Sequence, residues 1–204
     1  MRILIVVDMQ NDFVDGVLGT PEAKAIVPNV FGKIEEYRYY GNVGEPEEGE
    51  DIEWLVFASN NDVDIMFTQD THFDNYLETE EGKHLPIPHC IKNTKGWEII
   101  PEFDYFKKYG NILNTFEKHT FGSDELFNSL QCMGAKNNIE SIELVGVCTD
   151  ICVISNAIIA KSALPDVPIY VDASCCAGTT PENHKKAIEL MENSLYINIL
   201  NKEK

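Results

Sequence analysis

One cysteine stands in a sequence context that suits nucleophilic catalysis. Cys152 lies in the segment GVCTDICV (146–153), where an apolar strand pattern gives way to a helix pattern. The start of a helix has unpaired N–H groups and a partial positive charge, which lower the pKa of a thiol. The same N–H groups can bind a developing oxyanion. A free cysteine is usually just a small buried apolar residue, so the prediction that Cys152 attacks an amide-type carbonyl depends on its neighbours.

Two charged residues could activate this thiol. Asp8 follows the wholly apolar run ILIVV (3–7), and a carboxylate at a buried strand end has a perturbed pKa. It could take the thiol proton and later deliver it to a leaving amine. Lys118 could hold the Asp8 carboxylate and the thiolate in place by its charge. The ordinary alternatives are a loop-capping aspartate and a surface lysine.

Three further residues form a candidate metal site. The spacing Asp70-x-His72 places two ligand-type side chains on the same side of an extended segment, because side chains alternate along it. His89 completes a mixed nitrogen and oxygen set that suits a divalent Zn, Fe or Mn ion, with water in the remaining positions. Weaker candidates for an extra ligand are Glu78, Glu81 and His84, the last of which we expect to be exposed. We interpret two other histidines as structural or surface residues, His119 and His184.

Alternating strand and helix patterns must position these residues. Short continuous apolar runs are typical of buried parallel strands, and stretches with helical spacing separate them. We predict six strands, over 3–7, 64–68, 112–116, 141–147, 168–171 and 196–200. We predict five helices, over 28–40, 51–59, 124–133, 150–163 and 181–194. The stretch 71–100 shows little periodicity and is predicted to be a long loop, which in a compact domain is usually functional or disordered.

These elements predict an α/β fold, a three-layer sandwich with a six-stranded, mostly parallel sheet and helices on both faces. The 204 residues fit a single domain over 1–204. In such sheets the site lies beyond the carboxyl ends of the strands. We therefore expect four strand ends to bring together an acid, a metal-type cluster, a lysine and a cysteine.

Composition narrows the class of protein. The net charge of −18 gives a surface that repels phosphate backbones, so nucleic acid is not an expected partner. Many of the acids lie in a stretch that we interpret as a solvated insertion at about 41–53. The amino terminus lacks the pattern of a signal peptide and no apolar run is long enough to span a membrane, which predicts a cytoplasmic protein. Its six cysteines, which have no CxxC spacing, are then expected to be free thiols.

With these residues assembled, the sequence resembles the isochorismatase-like cysteine hydrolases, and nicotinamidases in particular, over essentially the whole chain. The resemblance rests on five segments in the family's order, VDMQNDF (7–13), DTH (70–72), PHC (88–90), FEKHTFGS (116–123) and GVCTDICV (146–153). It implies a six-stranded parallel sheet flanked by helices and a chain that forms homo-oligomers.

Carried over residue by residue, the resemblance implies a catalytic triad of Asp8, Lys118 and Cys152. It also implies a cis peptide bond between Val147 and Cys148, and an oxyanion hole made by the N–H groups of Cys148 and Cys152. The metal motif corresponds to the Asp70, His72 and His89 set described above.

The resemblance further places three residues near the substrate, Gln10, Phe13 and Val147, with Phe13 stacking on an aromatic ring. The chain departs from nicotinamidases at Pro86, where those enzymes commonly carry a tryptophan that stacks on the pyridine. Trp97 is close by in sequence but not at the matching position. The acidic insertion also lies outside the usual pattern.

The resulting hypothesis is hydrolysis of a small-molecule amide through a thioester, with nicotinamide as the favoured substrate and a metal ion orienting its pyridine nitrogen. Three alternatives stay open: hydrolysis of a carbamoyl or ureido compound, isochorismatase-type cleavage of a vinyl ether, and a non-catalytic binding protein on the same fold. Vinyl-ether cleavage does not need the cysteine, so the presence of Cys152 disfavours it. Redox chemistry at Cys175 and Cys176 is disfavoured because adjacent cysteines rarely form an unstrained bridge.

Overall fold

A six-stranded sheet forms the centre of the molecule, and every pair of neighbouring strands in it is parallel. The computed structural model describes residues 1–40, 63–104, 106 and 115–202. The strands are β1 (Arg2–Val7), β2 (Val63–Asp70), β3 (Thr115–Lys118), β4 (Ser141–Val147), β5 (Ile169–Ala177) and β6 (Asn198–Leu200). Their spatial order is β3-β2-β1-β4-β5-β6. The predicted α/β fold with six strands is confirmed.

Helices cover both faces of this sheet. They are α1 (Asn11–Val14), α2 (Pro21–Ala25), α3 (Val27–Tyr40), α4 (Glu80–His84), α5 (Asp124–Lys136), α6 (Ile154–Ala163) and α7 (Pro181–Leu195). Apolar side chains of α1, α2 and α3 pack on one face, and those of α5, α6 and α7 pack on the other. Strand β1 contributes Ile3, Ile5 and Val7 to one core and Leu4 and Val6 to the other, because its side chains alternate. A strand buried on both faces explains the uninterrupted apolar run in the sequence.

Several strand limits differ from the predicted ones. Strand β2 runs two residues further than predicted and ends at Asp70, and β3 ends at Lys118, so both residues belong to strands rather than to the loops after them. Residues 112–114 of the third predicted strand lie outside the described residues, as do the predicted helix 51–59 and the acidic stretch 41–53. Strand β5 continues to Ala177, six residues beyond its predicted end. Strand β6 starts later than predicted because Tyr196 has a left-handed conformation that ends α7.

The stretch 71–100 is mostly irregular but is attached to the sheet. It contains a 3-10 turn at Tyr76–Glu78 and the short helix α4. Isolated bridges join Gln10 to Ile99 and His72 to Ile91. The prediction of one loop therefore holds except for these two short elements. In the part of the chain that the structure describes, none of the helices has the length and apolarity needed to cross a membrane.

The strand order changes direction between β1 and β4, and that change places a crevice at their carboxyl ends. In doubly wound sheets ligands bind at this type of switch point. Val7, the last residue of β1, pairs with Gly146, the next-to-last residue of β4. Gly146 has φ +117°, and a Cβ atom there would lie 2.2 Å from the Val7 carbonyl oxygen, so only glycine fits. The segment that carries Cys148 and Cys152 begins directly after this close contact.

Candidate active site

The structure brings Asp8, Lys118 and Cys152 together at this crevice. The Lys118 Nζ atom lies 2.8 Å from the Asp8 Oδ2 atom and 3.5 Å from the Cys152 Sγ atom. All three side chains are buried. Thr68 donates its hydroxyl hydrogen bond to the other Asp8 oxygen over 2.6 Å. The acid, the cation and the thiol predicted from separate segments thus lie in contact, joined by the Asp8–Lys118 ion pair and the Lys118–Cys152 hydrogen bond.

Burial shifts the pKa of each group in this set. It raises the pKa of Asp8, although Lys118 opposes the shift. It also raises the pKa of the Cys152 thiol, again against the pull of Lys118. Burial alone would lower the pKa of Lys118, but Asp8, Cys152 and Asp70 outweigh it, so this lysine stays charged. A raised carboxyl pKa makes Asp8 a stronger base for the thiol proton.

A cavity of about 280 Å³ opens above the thiol. Cys152, Cys148 and Val147 form part of its wall, and Phe13 faces it with its ring centroid 5.4 Å from that of His89. Most of the remaining wall is apolar and comes from Leu18, Ala23, Leu85, Phe121 and Ile151. The cavity has the size and composition of a small-molecule site.

The predicted metal ligands also converge. One ligand atom each from Asp70, His72 and His89 lies within 4.8 Å of the others, and all three residues are buried. The His72 Nε2 atom lies 3.0 Å from Asp70 Oδ2 but makes no well-aligned hydrogen bond with any of the described residues. His89 Nδ1 lies 2.9 Å from the Ile87 carbonyl oxygen, which fixes the ring with Nε2 facing the cluster. Two imidazoles and a carboxylate aimed at one buried point fit a divalent metal ion.

Glu81 is the one extra ligand candidate that the structure brings to this cluster. Its Oε1 atom lies 3.7 Å from the Nε2 atoms of both His72 and His89. His84, by contrast, is exposed and contacts Glu80, as predicted, and Glu78 is exposed on the 3-10 turn.

The candidate nucleophile Cys152 and the candidate metal site share the cation of Lys118. Its Nζ atom donates to Asp70 Oδ1 over 2.9 Å, while Asp70 Oδ2 lies 3.0 Å from His72 Nε2. Burial would raise the pKa of Asp70, but Lys118 and His72 reverse this and lower it to about 2. Asp70 is therefore ionised, as a metal ligand must be.

Gln10, predicted to lie near the substrate, is fully buried and is not among the described residues of the cavity wall. Its Nε2 atom donates to the carbonyl oxygens of Asp70 and Trp97, and its Oε1 atom accepts the Asp70 N–H, each over 2.8 Å. Because both ends of the amide are occupied by backbone groups, Gln10 is placed to orient Asp70 rather than to contact substrate.

The nucleophile segment forms a wide turn. The Val147–Cys148 peptide bond is cis, as the resemblance implies. Thr149–Val153 is a single π-helical turn that leads into α6, where an ordinary α-helix was predicted. The Asn156 side chain donates to the Cys152 carbonyl oxygen over 2.8 Å and accepts from the Ser123 N–H over 3.0 Å. Single π turns are frequent at functional sites.

Three residues singled out from the sequence lie around the site. Pro86 is exposed, and its neighbour Leu85 supplies the cavity wall instead. The Trp97 indole N–H donates to the Thr71 hydroxyl, outside the described cavity wall. His184, interpreted as a structural or surface residue, is half-buried, and its Nδ1 atom lies 2.8 Å from the hydroxyl of Thr149 in the turn that carries Cys152. No sequence signal links these two residues, which are 35 positions apart.

Comparison with known proteins defines the family. The isochorismatase domain model matches residues 2–201, and the chain therefore belongs to the isochorismatase family. The chain is 23% identical to a nicotinamidase/pyrazinamidase of Mycobacterium tuberculosis over 95% of its own length and 100% of the relative's. It is 29% identical to a probable inactive nicotinamidase of Arabidopsis thaliana, over 93% and 87% of the two chains.

Solved structures share the fold. The nicotinamidase/pyrazinamidase PncA from Bacillus subtilis superimposes with a TM-score of 0.72 at 23% identity, covering 98% of this chain and 99% of that one. A pyrazinamidase of Pyrococcus horikoshii, solved in complex with zinc, gives 0.69 at 24% identity, with 98% of each chain covered. An N-carbamoylsarcosine amidase from Thermoplasma acidophilum gives 0.68 at 22% identity, over 100% and 97% of the two chains.

Proposed function

We propose that this chain is a cysteine amidohydrolase that cleaves a small-molecule amide, nicotinamide in particular, through a thioester. One observation carries the proposal: a buried Lys118 ammonium lies within hydrogen-bonding reach of both Asp8 and the Cys152 thiol, and Cys152 lines a cavity. The nicotinamidase names among the relatives support the same chemistry. Buried titratable groups in contact at a cavity are typical of catalytic sites, which favours an enzyme over a non-catalytic binding protein.

The reaction begins when Asp8 removes the Cys152 proton and the thiolate attacks the amide carbon. The N–H groups of Cys148 and Cys152 stabilise the resulting oxyanion. The carbon–nitrogen bond then breaks, and ammonia leaves with the proton that Asp8 returns. Water adds to the thioester, the carboxylic acid departs, and the thiol is restored. Lys118 keeps the Asp8 carboxylate and the sulfur in position throughout.

Asp70, His72 and His89 would hold a divalent metal ion, with Glu81 as a further ligand. When bound, the ion supplies a Lewis acid that can fix a neutral donor atom of the substrate. Gln10 and Lys118 hold Asp70 in place from the side away from the histidines.

The cavity favours a neutral amide. Among the described residues that line it, Asp70 and Glu81 are acids and none is a lysine or an arginine. A substrate that carries a carboxylate, such as a ureido acid, finds no cationic partner in that wall. Its aromatic residues are Phe13 and Phe121, which suit a flat ring even though Pro86 replaces the expected tryptophan.

The test is release of ammonia from a panel that contains nicotinamide, benzamide and an N-carbamoyl amino acid, with and without a chelator. We expect turnover of nicotinamide, weaker turnover of benzamide, which lacks the ring nitrogen, and loss of activity on metal removal that Zn²⁺ or Mn²⁺ restores. Preferential turnover of the N-carbamoyl amino acid would replace nicotinamide with a ureido substrate. No ammonia from any member, with metal bound, would contradict the proposal.

A further inference from the structure

The nucleophile turn is attached to the start of α7 by two side-chain bridges, which we call the turn–helix clamp. Its residues are Thr149, Asp150, Thr179 and His184. Asp150 Oδ1 accepts the Thr179 N–H over 2.8 Å, and Asp150 Oδ2 accepts the Thr179 hydroxyl over 2.5 Å. Thr149 and His184 form the second bridge over 2.8 Å. The two bridges start at consecutive residues of the turn, Thr149 and Asp150, and end on the same neighbouring segment.

The segments held by the clamp both form the cavity wall. Gly178 and Thr179 line the cavity together with Cys148 and Cys152. A Cβ atom at Gly178 would lie 2.9 Å from Asp150 Oδ1 and 2.8 Å from the His184 backbone nitrogen, so the end of β5 packs directly on the turn. A shift of Asp150 relative to Thr179 would therefore move the cavity wall relative to the thiol.

A π-helical turn is a rare conformation, and side chains of neighbouring elements hold this one on both sides. Asn156 holds the Cys152 carbonyl oxygen from α6, and Ser155 donates to the Ile151 carbonyl oxygen over 2.6 Å. These bonds fix the carboxyl-terminal side of the turn. The clamp supplies the corresponding restraint at Thr149 and Asp150, between the two residues whose N–H groups face the developing oxyanion.

We infer that Asp150 is a positioning residue: through its paired hydrogen bonds to Thr179 it sets the orientation of Cys152 and of the oxyanion hole. The inference rests on the proposed function. It assigns Asp150 no contact with substrate and no proton transfer, so its geometry matters and its charge does not. A reacting group displaced by about 1 Å can cost about 100-fold in rate.

The experiment compares kcat and KM for amide hydrolysis in Asp150→Ala, Asp150→Asn and Thr179→Val. Asp150→Ala removes both bonds and is expected to lower kcat by about 10- to 100-fold with KM unchanged. Asp150→Asn can accept from the Thr179 N–H and donate to its hydroxyl, so it should restore most of the rate. Thr179→Val keeps the backbone N–H bond to Asp150 but loses the hydroxyl, which also accepts from the Asn183 side chain over 2.9 Å. Its kcat should lie between those of Asp150→Ala and the unmodified enzyme. The control is Glu182→Gln on the exposed side of α7, which alters only a surface ion pair with Lys186.

Three results would overturn the inference: Asp150→Ala indistinguishable from Glu182→Gln, Asp150→Asn as impaired as Asp150→Ala, or a rise in KM alone. If circular dichroism shows that Asp150→Ala does not fold, Thr179→Val decides, and an unchanged kcat there counts against the clamp. If the unmodified enzyme cleaves no amide, the proposed function fails separately. The clamp is then tested by the rate of iodoacetamide labelling at Cys152, followed by peptide mass spectrometry, which Asp150→Ala should change severalfold and Asp150→Asn should not.

Discussion

The Lys118 ammonium nitrogen lies 3.5 Å from the sulfur of Cys152 and 2.9 Å from Asp70, a ligand-type residue of the metal cluster. Its third partner is Asp8, at 2.8 Å. One buried cation is therefore shared by the proposed nucleophile, its proposed base and the candidate metal site. Strand pairing makes this possible, because Asp70 and Lys118 are register partners at the ends of β2 and β3.

Replacing Lys118 by methionine is expected to destabilise the protein as well as inactivate it. The substitution leaves the buried carboxylates of Asp8 and Asp70 without their cation. Removing one partner of a buried ion pair typically costs about 3–5 kcal/mol. We expect a loss of that order in the free energy of unfolding, measured by urea denaturation, and a fall in kcat/KM of at least about 100-fold, a few kcal/mol of lost transition-state stabilisation.

Lys92→Met is the matched control for that change. Lys92 pairs with Glu117 in β3, where both side chains are about a third exposed, 36% and 37%. A partly exposed pair of this kind contributes roughly 1 kcal/mol at most. Equal effects of the two substitutions on stability and rate would contradict the role given to Lys118.

Cys152→Ala should abolish turnover and leave the fold intact, because alanine fits the space of the buried thiol. Ammonia release by the purified variant measures this, and residual activity above a few per cent would rule out the covalent mechanism. Cys148→Ala provides the comparison. Its side chain also lines the cavity, but only its backbone N–H has a proposed role, so this variant should keep most of the activity.

The sequence predicts the strands, and the residues that meet at their carboxyl ends, better than it predicts the bonds that position those residues. The apolar run of β1 and the acid after it were sufficient to place Asp8 at a buried strand end. Side-chain periodicity reports burial but not partners, so the bonds of Gln10 to Asp70, 60 residues away, could not be read from it. The Asp150–Thr179 bridge joins residues 29 positions apart and could not be read from periodicity for the same reason. Both depend on how β5 and the stretch 71–100 pack in three dimensions.

Gln10→Ala should weaken metal binding more than it alters the fold. The amide of Gln10 holds both backbone polar groups of Asp70. Loss of a residue that orients a metal ligand typically costs about 10- to 100-fold in affinity. We expect that reduction for Zn²⁺, measured by competition with a chromogenic chelator.

Asn11→Ala is the control for Gln10. Asn11 is the next residue along the chain, and its side-chain amide also donates to two carbonyl oxygens, those of Lys95 and Glu98, but to no atom of the metal cluster. Zinc affinity should therefore stay unchanged in this variant. An equal loss in both variants would show that general loosening of the loop, and not the orientation of Asp70, controls the metal.

Asp172 is expected to make the stability of the protein fall in acid. It is buried in β5, where Lys33 lies 3.0 Å from one carboxylate oxygen and Ser174 donates over 2.7 Å to the other. Burial would raise the pKa of Asp172, but hydrogen bonds from Ser174, Lys33 and Asn201 outweigh it and hold the pKa below the ordinary value of 3.8. The folded protein thus binds fewer protons at this carboxyl than the unfolded chain does near that pH.

A lowered folded-state pKa contributes stability that is present above the unfolded pKa and is lost as the pH falls through the folded value. Asp172→Asn should therefore be less stable than the unmodified protein at neutral pH, and the difference should shrink below about pH 4. Urea denaturation at a series of pH values measures both effects. Asp166→Asn replaces an exposed aspartate in the loop before β5. Its free energy of unfolding should instead change with pH in the same way as that of the unmodified protein. If the free energies of unfolding of Asp172→Asn and the unmodified protein differ by the same amount down to the lowest pH measured, packing, and not the charge of Asp172, stabilises this part of the sheet.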